Sequence, residues 1–533
     1  MRNHLIWVAF IGMLMAALVW SPQSWAAESD NEEVTFTIRD FQIEGSTLIH
    51  PVRLKDEIRD LTGKGRTAQD VEEARSRVEA HYHDKGYPTV LVNIPEQSVE
   101  DGVIRLKVIE SKIREVKVKG NTYFTGQMIK KNMPSLELGK VMYVPDVQRD
   151  LAKVNSISKD LEVTPMIVPG ENLDTVDVTL KVKDKLPLHG SVSLSNRGTH
   201  DTTDLRVNVN LSYDNLWQRG HSVSLQYQTA PEKPEEVQVF GGSYVLPAPW
   251  NEEQVIALYA LSTDSETAFG QGFETVGEGF ILGGRYVLPL PPYERYSHNL
   301  TLGLDYKDFE ESTELDAEET LDTPVTYLPL SISYNSNLPH GQGLTSFSLG
   351  LNMAFRHLVT DLEEFKDKRS GARGSYIYAT LGVERHQRLP KETRLFAKID
   401  GQIADQPLVS NEQYTAGGME SVRGYKESEE SGDDAVHWTL ELWNEKLSPA
   451  ISFNEEKELK LEPYLFYDGV YLRTIDPLPG QDEGIDLHGA GLGLRGNCAG
   501  YLHFELALAV GLAASARIEA GALAGHFNLS YEF

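Results

Sequence analysis

Leu205-Arg206-Val207-Asn208-Val209-Asn210-Leu211-Ser212-Tyr213 alternates apolar and polar residues across nine positions. In an extended chain every second side chain points to the same face, so this segment is apolar on one side and wholly polar on the other. The pattern continues outward. Val223, Leu225 and Tyr227 alternate with Ser222, Ser224, Gln226 and Gln228, and at the C-terminus Phe527, Leu529, Tyr531 and Phe533 alternate with His526, Asn528, Ser530 and Glu532. The 346 residues from Leu188 to Phe533 read as a run of short amphipathic strands. A soluble sandwich has the same alternation. A membrane barrel is favoured by aromatics at strand ends, by a leader at the N-terminus and by a last residue, Phe533, on the apolar face. A sheet in lipid must close, because an open edge leaves backbone groups unsatisfied. At roughly 21 residues per strand and connection, the region holds about 16 antiparallel strands.

The leader is residues 1–26: Arg2, an apolar run from Leu5 to Trp20, then Ser24-Trp25-Ala26. A basic start, a short apolar stretch and a small-x-small site make a secretory signal, and the run falls short of the roughly 18–20 residues of a spanning helix. The single cysteine, Cys498, excludes an intrachain disulfide, and no chemistry is assigned to it. Charge is uneven. Residues 27–187 hold 28 acidic and 24 basic residues, whereas 188–533 hold 51 and 25. Such an acidic chain repels phosphate at long range, so nucleic acid is excluded as a partner. The densest acidic runs, Asp308–Asp322 and Glu427–Asp434, fall between strands and are expected to be solvated loops. Divalent cations of a lipopolysaccharide layer can gather there, but no EF-hand-type loop is present and no metal site is assigned.

Ahead of the strands, one βααββ pattern is written twice. The first copy, 36–110, opens with Phe36–Ile43 and Glu44-Gly45-Ser46. A helix follows Pro51, a second follows Thr67 with Asp70 placed to cap it, and Val90–Ile94 and Val103–Ile109 close it. Val71, Ala74, Val78 and Tyr82 line one face of the second helix. The second copy, 111–187, runs through Ile113–Val118, Gly120-Asn121, helices near Thr125–Asn132 and Val144–Ser158, and strands Glu162–Val168 and Val176–Val182. His81 and His83 point about 200° apart on their helix and read as surface histidines, not a chelating pair.

Three segments of the strand region stand out. Gly417-Gly418-Met419-Glu420-Ser421-Val422-Arg423-Gly424-Tyr425 is too glycine-rich for a strand and reads as an ordered loop, within about 411–436. Phe466-Tyr467-Asp468-Gly469 lies on a strand entered from Pro463, and Gly489-Ala490-Gly491-Leu492-Gly493-Leu494-Arg495 on the next. Gly491 to Gly496 also satisfies the dinucleotide-binding spacing, but no βαβ unit or acidic residue follows, so no cofactor is expected. Signatures of metalloprotease helices, nucleophile elbows and Cys/His pairs are absent from the sequence, and an enzyme is not expected.

Val422-Arg423-Gly424-Tyr425 and the two later segments, in this order, resemble the motifs of two-partner secretion transporters (the ShlB/FhaC/HecB-type haemolysin secretion/activation proteins) within the outer-membrane insertase/translocase superfamily. The front repeats resemble periplasmic POTRA domains, with Gly86-Tyr87-Pro88, Asp101-Gly102-Val103 and Gly120-Asn121 matching especially well. The resemblance implies an α+β POTRA pair followed by an all-β outer-membrane barrel of 16 strands. It also implies that Arg423 sits at the tip of an extracellular loop folded back into the lumen. The POTRA domains are then expected to bind an unfolded exoprotein by strand addition, and the barrel to export it without nucleotide hydrolysis. Phe527, Leu529, Tyr531 and the terminal Phe533 resemble the signal read by the barrel-assembly machinery.

A guanidinium at a barrel wall needs a carboxylate, and Asp468 on the inner face can accept a bidentate bond from Arg423; alternation then turns Phe466 inward too. The chain departs from many relatives in one respect. Only about nine residues, 27–35, separate the leader from the first strand, too few for a helix that traverses a barrel. The expectation is therefore no N-terminal plug, with the Arg423 loop as the main obstruction. The competing expectation is an insertase for other outer-membrane proteins; two POTRA units rather than a longer array favour secretion.

Overall fold

The computed structural model describes residues 34–99, 101–200, 202–264, 267–269, 273–275, 278–310, 312–316, 319–356, 358–452 and 458–533. The leader, residues 27–33 with the expectation of no plug, and part of the acidic run 308–322 lie outside the described residues. The chain forms two compact units, and the second front repeat contributes to both.

The first repeat contains β1 (Phe36–Ile38), β2 (Asp40–Glu44), α1 (Pro51–Glu57), β3 (Gly63–Arg66), α2 (Ala68–Asp84), β4 (Val90–Asn93) and β5 (Val103–Glu110). The expected single strand 36–43 is broken at Arg39, because Arg39 and Asp40 both donate their N–H to Gly102 O. β1 then pairs with β3, while β2, β5 and β4 form a sheet in that order. Thr67 and Asp70 form a reciprocal capping box at the start of α2, whose Val71, Ala74, Val78 and Tyr82 are buried against the sheet. His83 Nε2 lies 3.0 Å from Val90 O, and His81 lies beside Glu57.

The second repeat has β6 (Lys112–Lys119), α3 (Gly126–Lys131), α4 (Val144–Asn155), β7 (Leu161–Pro169) and β8 (Thr175–Asp184), with sheet order β6-β8-β7. The two repeats share one local device. Gly45 (φ +81°) and Gly120 (φ +92°) each lie where a Cβ would come within 2.4 Å of a carbonyl, that of Val108 or of Val182, so only glycine fits. The turn after each is tied by a carboxylate: Glu110 accepts the N–H groups of Thr47 and Leu48, and Asp184 those of Thr122, Tyr123 and Phe124.

The barrel strands are β9 (Leu188–Ser195), β10 (Arg206–Leu216), β11 (His221–Thr229), β12 (Gln238–Ala248), β13 (Asn251–Asp264), β14 (Glu278–Pro289), β15 (Ser297–Glu310) and β16 (Leu330–His340). They continue as β17 (Gly343–Ala354), β18 (Tyr376–Leu389), β19 (Thr393–Ala404), β20 (Asp434–Asn444), β21 (Glu458–Arg473), β22 (Gly484–Cys498), β23 (Leu502–Gly511) and β24 (Leu523–Glu532). β24 pairs antiparallel with β9 and closes a 16-strand barrel. Short segments at 325–327 and 450–452 extend β16 and β20 beyond breaks. Connections at one end are mostly short turns, such as 249–250 and 341–342, whereas 355–375 and 405–433 at the other end are long, as in outer-membrane barrels. Outward aliphatics stay exposed, Leu225 at 59 %, Leu492 at 60 % and Leu508 at 68 %, a belt that water would penalise and hydrocarbon accepts. No described helix is long and apolar enough to cross a membrane.

Two expectations change here. The strand carrying Asp468 begins at Glu458, upstream of Pro463. Pro463 is tolerated because the ladder to β20 is interrupted at that level, between Trp443 and Ala450. The Arg423 loop also has company. The 355–375 connection carries α5 (Leu362–Lys368), whose Phe365 is buried with Tyr327, Tyr376, Leu408 and Val409.

Candidate functional site: a loop anchored inside the barrel

The connection from β19 to β20 forms the site. It begins with a short helical turn at Ser410–Glu412, and a two-stranded ladder, Tyr414–Ala416 with Glu430–Gly432, makes a stalk. Gly417 (φ +115°) and Gly418 (φ +93°) turn the chain at the stalk's end, where a side chain on Gly418 would strike the Glu427 carboxyl. Val422, Arg423 and Tyr425 are all buried beyond it.

Arg423 meets the wall. Its Nε and Nη2 donate to Asp468 at 2.7 and 2.8 Å, its backbone N–H to the same carboxylate at 3.2 Å, and its Nη1 to Glu441 at 2.7 Å. The guanidinium carbon stands 3.7 Å from the centre of the Phe466 ring. Burial weighs against its charge, but Asp468 and Glu441 outweigh burial and hold the arginine's pKa above its ordinary value. Strand alternation explains the wall: Tyr464, Phe466 and Asp468 point inward from β21, and Leu465 and Tyr467 outward.

The register supplies what the loop fits into. Asp468 is paired with Gly489, Phe466 with Gly491 and Tyr464 with Gly493. A Cβ on Gly489 would sit 1.7 Å from Arg423 O, one on Gly491 2.6 Å from Phe466, and one on Gly493 2.0 Å from Tyr464. The glycines thus form a trough on β22 for two rings and the loop backbone. Leu494 alternates to the other face, and Gly469 makes room for the Trp438 ring on β20. Arg495, at the end of the trough, bonds to Glu441 at 3.1 and 3.2 Å and to Glu505 at 2.9 Å. Two arginines and three carboxylates therefore make one network, completed by the Tyr464 hydroxyl on Glu505. Gly424 N–H donates to His526 Nε2 at 3.1 Å, and Tyr425 OH to the carbonyls of His488 and Ala513.

The acidic run Glu427–Asp434 is not a solvated loop as expected. Glu427, Glu429 and Asp433 are buried and paired, with Arg197, His200 and Arg369 respectively, because folding the loop inward carries them into the barrel. Asp433 also accepts the N–H groups of Leu408 and Ile475. Glu412, at the loop's other end, accepts from Lys307, Tyr327 and Tyr378 at 2.6, 2.6 and 2.8 Å. Sequence reading missed Glu412, Glu441 and Glu505. Glu441 carries a usable signal, since it lies in phase with polar His437 and Thr439 on an alternating strand.

At the C-terminus, Leu529, Tyr531 and Phe533 face outward, and the Phe533 ring covers Gly190, where any Cβ would meet it at 2.3 Å. Phe527 lies on the same strand, and its backbone N–H donates to the Asn196 side chain at 2.8 Å.

Residues 174–496, more than half of the chain, match the family model described as haemolysin secretion/activation protein ShlB/FhaC/HecB. The chain belongs to this family. It is an outer-membrane transporter of two-partner secretion, acting with a secreted exoprotein. Residues 36–111 match the POTRA domain model of ShlB type. The outer membrane transporter CdiB of Dickeya dadantii (strain 3937) is 22% identical over 429 residues, covering 76% of this chain and 72% of that protein. CdiB-2 of Burkholderia pseudomallei (strain 1026b) is 31% identical over 131 residues, 25% of this chain and 22% of that protein. Among solved structures, CdiB from Escherichia coli superposes with a TM-score of 0.62 at 17% identity, covering 96% of this chain and 93% of that one. BamA from Haemophilus ducreyi lacking POTRA domains 1–3 superposes at 0.56 and 15% identity, covering 93% and 100%. The likeness to these structures is one of fold.

Proposed function

We propose that two periplasmic POTRA domains, 36–110 and 111–187, capture an unfolded exoprotein and feed it to the barrel, 188–533. The barrel exports it through its lumen once the loop 411–436 moves aside. The observation that carries this reading is the burial of Arg423 against Asp468 and Glu441 on a loop anchored inside the barrel. A loop held by ion pairs rather than by strand pairing can leave without unfolding the wall. The exposed edge of β7, with Met166, Ile167 and Val168 open to solvent, offers unpaired backbone for strand addition. The protein acts as a conduit without catalytic chemistry or a cofactor. The barrel-assembly machinery reads Phe527, Leu529, Tyr531 and Phe533 during biogenesis, and the finished barrel contacts lipid and lipopolysaccharide.

The test compares extracellular proteins from cells with the wild type, Arg423→Ala or a deletion. Loss of one large protein from the medium, with its accumulation in the periplasm, supports secretion. An unchanged medium with a fall in several outer-membrane barrels overturns it in favour of an insertase. That second reading draws on the closing seam, a ladder of five pairs with one further doubly bonded pair, Gly190 with Phe533, and on the fold likeness to BamA.

A further inference from the structure

Away from the loop, three side chains converge. Asp160 lies in the turn between α4 and β7, His189 on β9 and Asp214 on β10, all within one compact unit. Their donor atoms lie within 4.8 Å of one another: His189 Nε2 is 2.6 Å from Asp160 Oδ2 and 3.9 Å from Asp214 Oδ2. Independent backbone constraints place them. In the β9–β10 register His189 faces Ser212, so Asp214, two residues on, is its diagonal neighbour on the same face. Asp214 N–H donates to Pro187 O at 2.8 Å, which continues that ladder. Asp160 is held by its N–H to Ser158 Oγ at 3.2 Å and by Lys185 N–H to its carbonyl at 3.0 Å.

Charge balance is a second, separate observation. Among the described residues, neither Asp160 nor Asp214 pairs with a lysine or arginine; both share the single imidazole. Asp160 is buried, with the His189 imidazole and the Ser158 hydroxyl on its carboxylate, and Asp214 is partly exposed. A divalent cation with a neutral imidazole balances the set to zero.

We propose that Asp160, His189 and Asp214 bind a divalent transition-metal ion, zinc being the best match to one nitrogen and two carboxylate donors. Calcium and magnesium favour all-oxygen shells, whereas zinc takes imidazole and carboxylate together, leaving a fourth position for water. Bonds of about 2.0–2.2 Å in a tetrahedron set the donors about 3.4 Å apart. The Asp160–His189 contact then opens and the His189–Asp214 contact closes, each by less than about 1 Å, within the reach of side-chain rotation. The ion would fasten the turn after α4 to the first two barrel strands.

The test uses the full chain in detergent, stripped with a chelator and titrated with Zn²⁺ by calorimetry and with Co²⁺ by visible absorption. One equivalent should bind with Kd below about 100 µM, and Co²⁺ should show tetrahedral bands. His189→Gln and Asp214→Asn should each weaken binding about tenfold or more, and the pair should abolish the bands. Barrel integrity in each variant is read from the heat-dependent gel shift; Asp214→Asn, partly exposed and on the barrel, serves if His189→Gln misfolds. Absence of one-equivalent binding in the wild type, equal binding by the double variant, or displacement of zinc by millimolar calcium would each overturn the proposal.

Discussion

At Arg423 a single guanidinium donates to two carboxylates while the Phe466 ring lies against its face. Removing one side of a buried ion pair commonly costs about 3–5 kcal/mol, because the partner charge stays buried. Arg423→Asp therefore releases the loop: export should fall sharply and single-channel conductance should rise. The exchange Arg423→Asp with Asp468→Arg should restore part of the export; no rescue at all would count against the pair as a lock. Gly489→Val tests the same contact without touching a charge. Its Cβ would meet Arg423 O at 1.7 Å, so the variant should match Arg423→Asp in conductance while leaving barrel assembly intact. The Arg423–Asp468 pair was legible from motif order and alternation, since both residues lie in recognisable segments. Glu441 and Glu505 were not, because their approach to Arg423 and Arg495 depends on the register between strands.

The loop is an element held from both ends. Arg423 binds β20 and β21, while Glu412, about a dozen residues earlier, binds Lys307 on β15, Tyr327 beside it and Tyr378 on β18. Glu412→Gln keeps the volume but removes the carboxylate charge opposite the half-buried Lys307. We expect it to loosen the loop's base and raise the frequency of brief channel openings, with a smaller effect than Arg423→Asp; an unchanged record would show that Glu412 bears no load. In the first repeat, Glu110 illustrates how an element responds to pH. Burial raises its pKa, but the N–H groups of Leu48 and Thr47 and the Thr47 hydroxyl outweigh burial, and the net shift is downward from 4.5. A depressed carboxylate contributes stability above its unfolded pKa and loses it as pH falls through the folded one. The turn at Thr47–Leu48 should thus gain hydrogen exchange below about pH 4.5 beyond the intrinsic trend, and Glu110→Gln should remove that acid dependence. The capped helix α2 and the repeat of Gly45 at Gly120 were readable because capping and positive φ are set locally. The break at Arg39 was not, since it arises from the distant carbonyl of Gly102.

For the whole molecule the closing seam separates the two modes of export. β24 and β9 share five ladder pairs, Gly190 and Phe533 exchange two further backbone bonds, and the Asn196 side chain prolongs the join at the other end by bonding Gly525 O and Phe527 N–H. Ser193 and Ser530 face each other across it. With Cys498 replaced by serine, a disulfide between Ser193→Cys and Ser530→Cys should leave export intact if the client uses the lumen. Export lost on oxidation and regained on reduction would instead assign the route to a lateral opening. The sequence by itself determined the class of the chain: two α+β repeats, then an even-stranded barrel whose outer face is apolar. It did so because strand period, capping and turn chemistry are local, and because lipid forbids an open edge. Only the tertiary structure decided that the acidic loop is buried, that two arginines and three carboxyl groups share one network, and that glycines 489, 491 and 493 form its trough. Those features depend on which strands are neighbours and in what register, and on a long connection folding inward rather than out. Both are set by burying charge against charge across hundreds of residues, which no local pattern records.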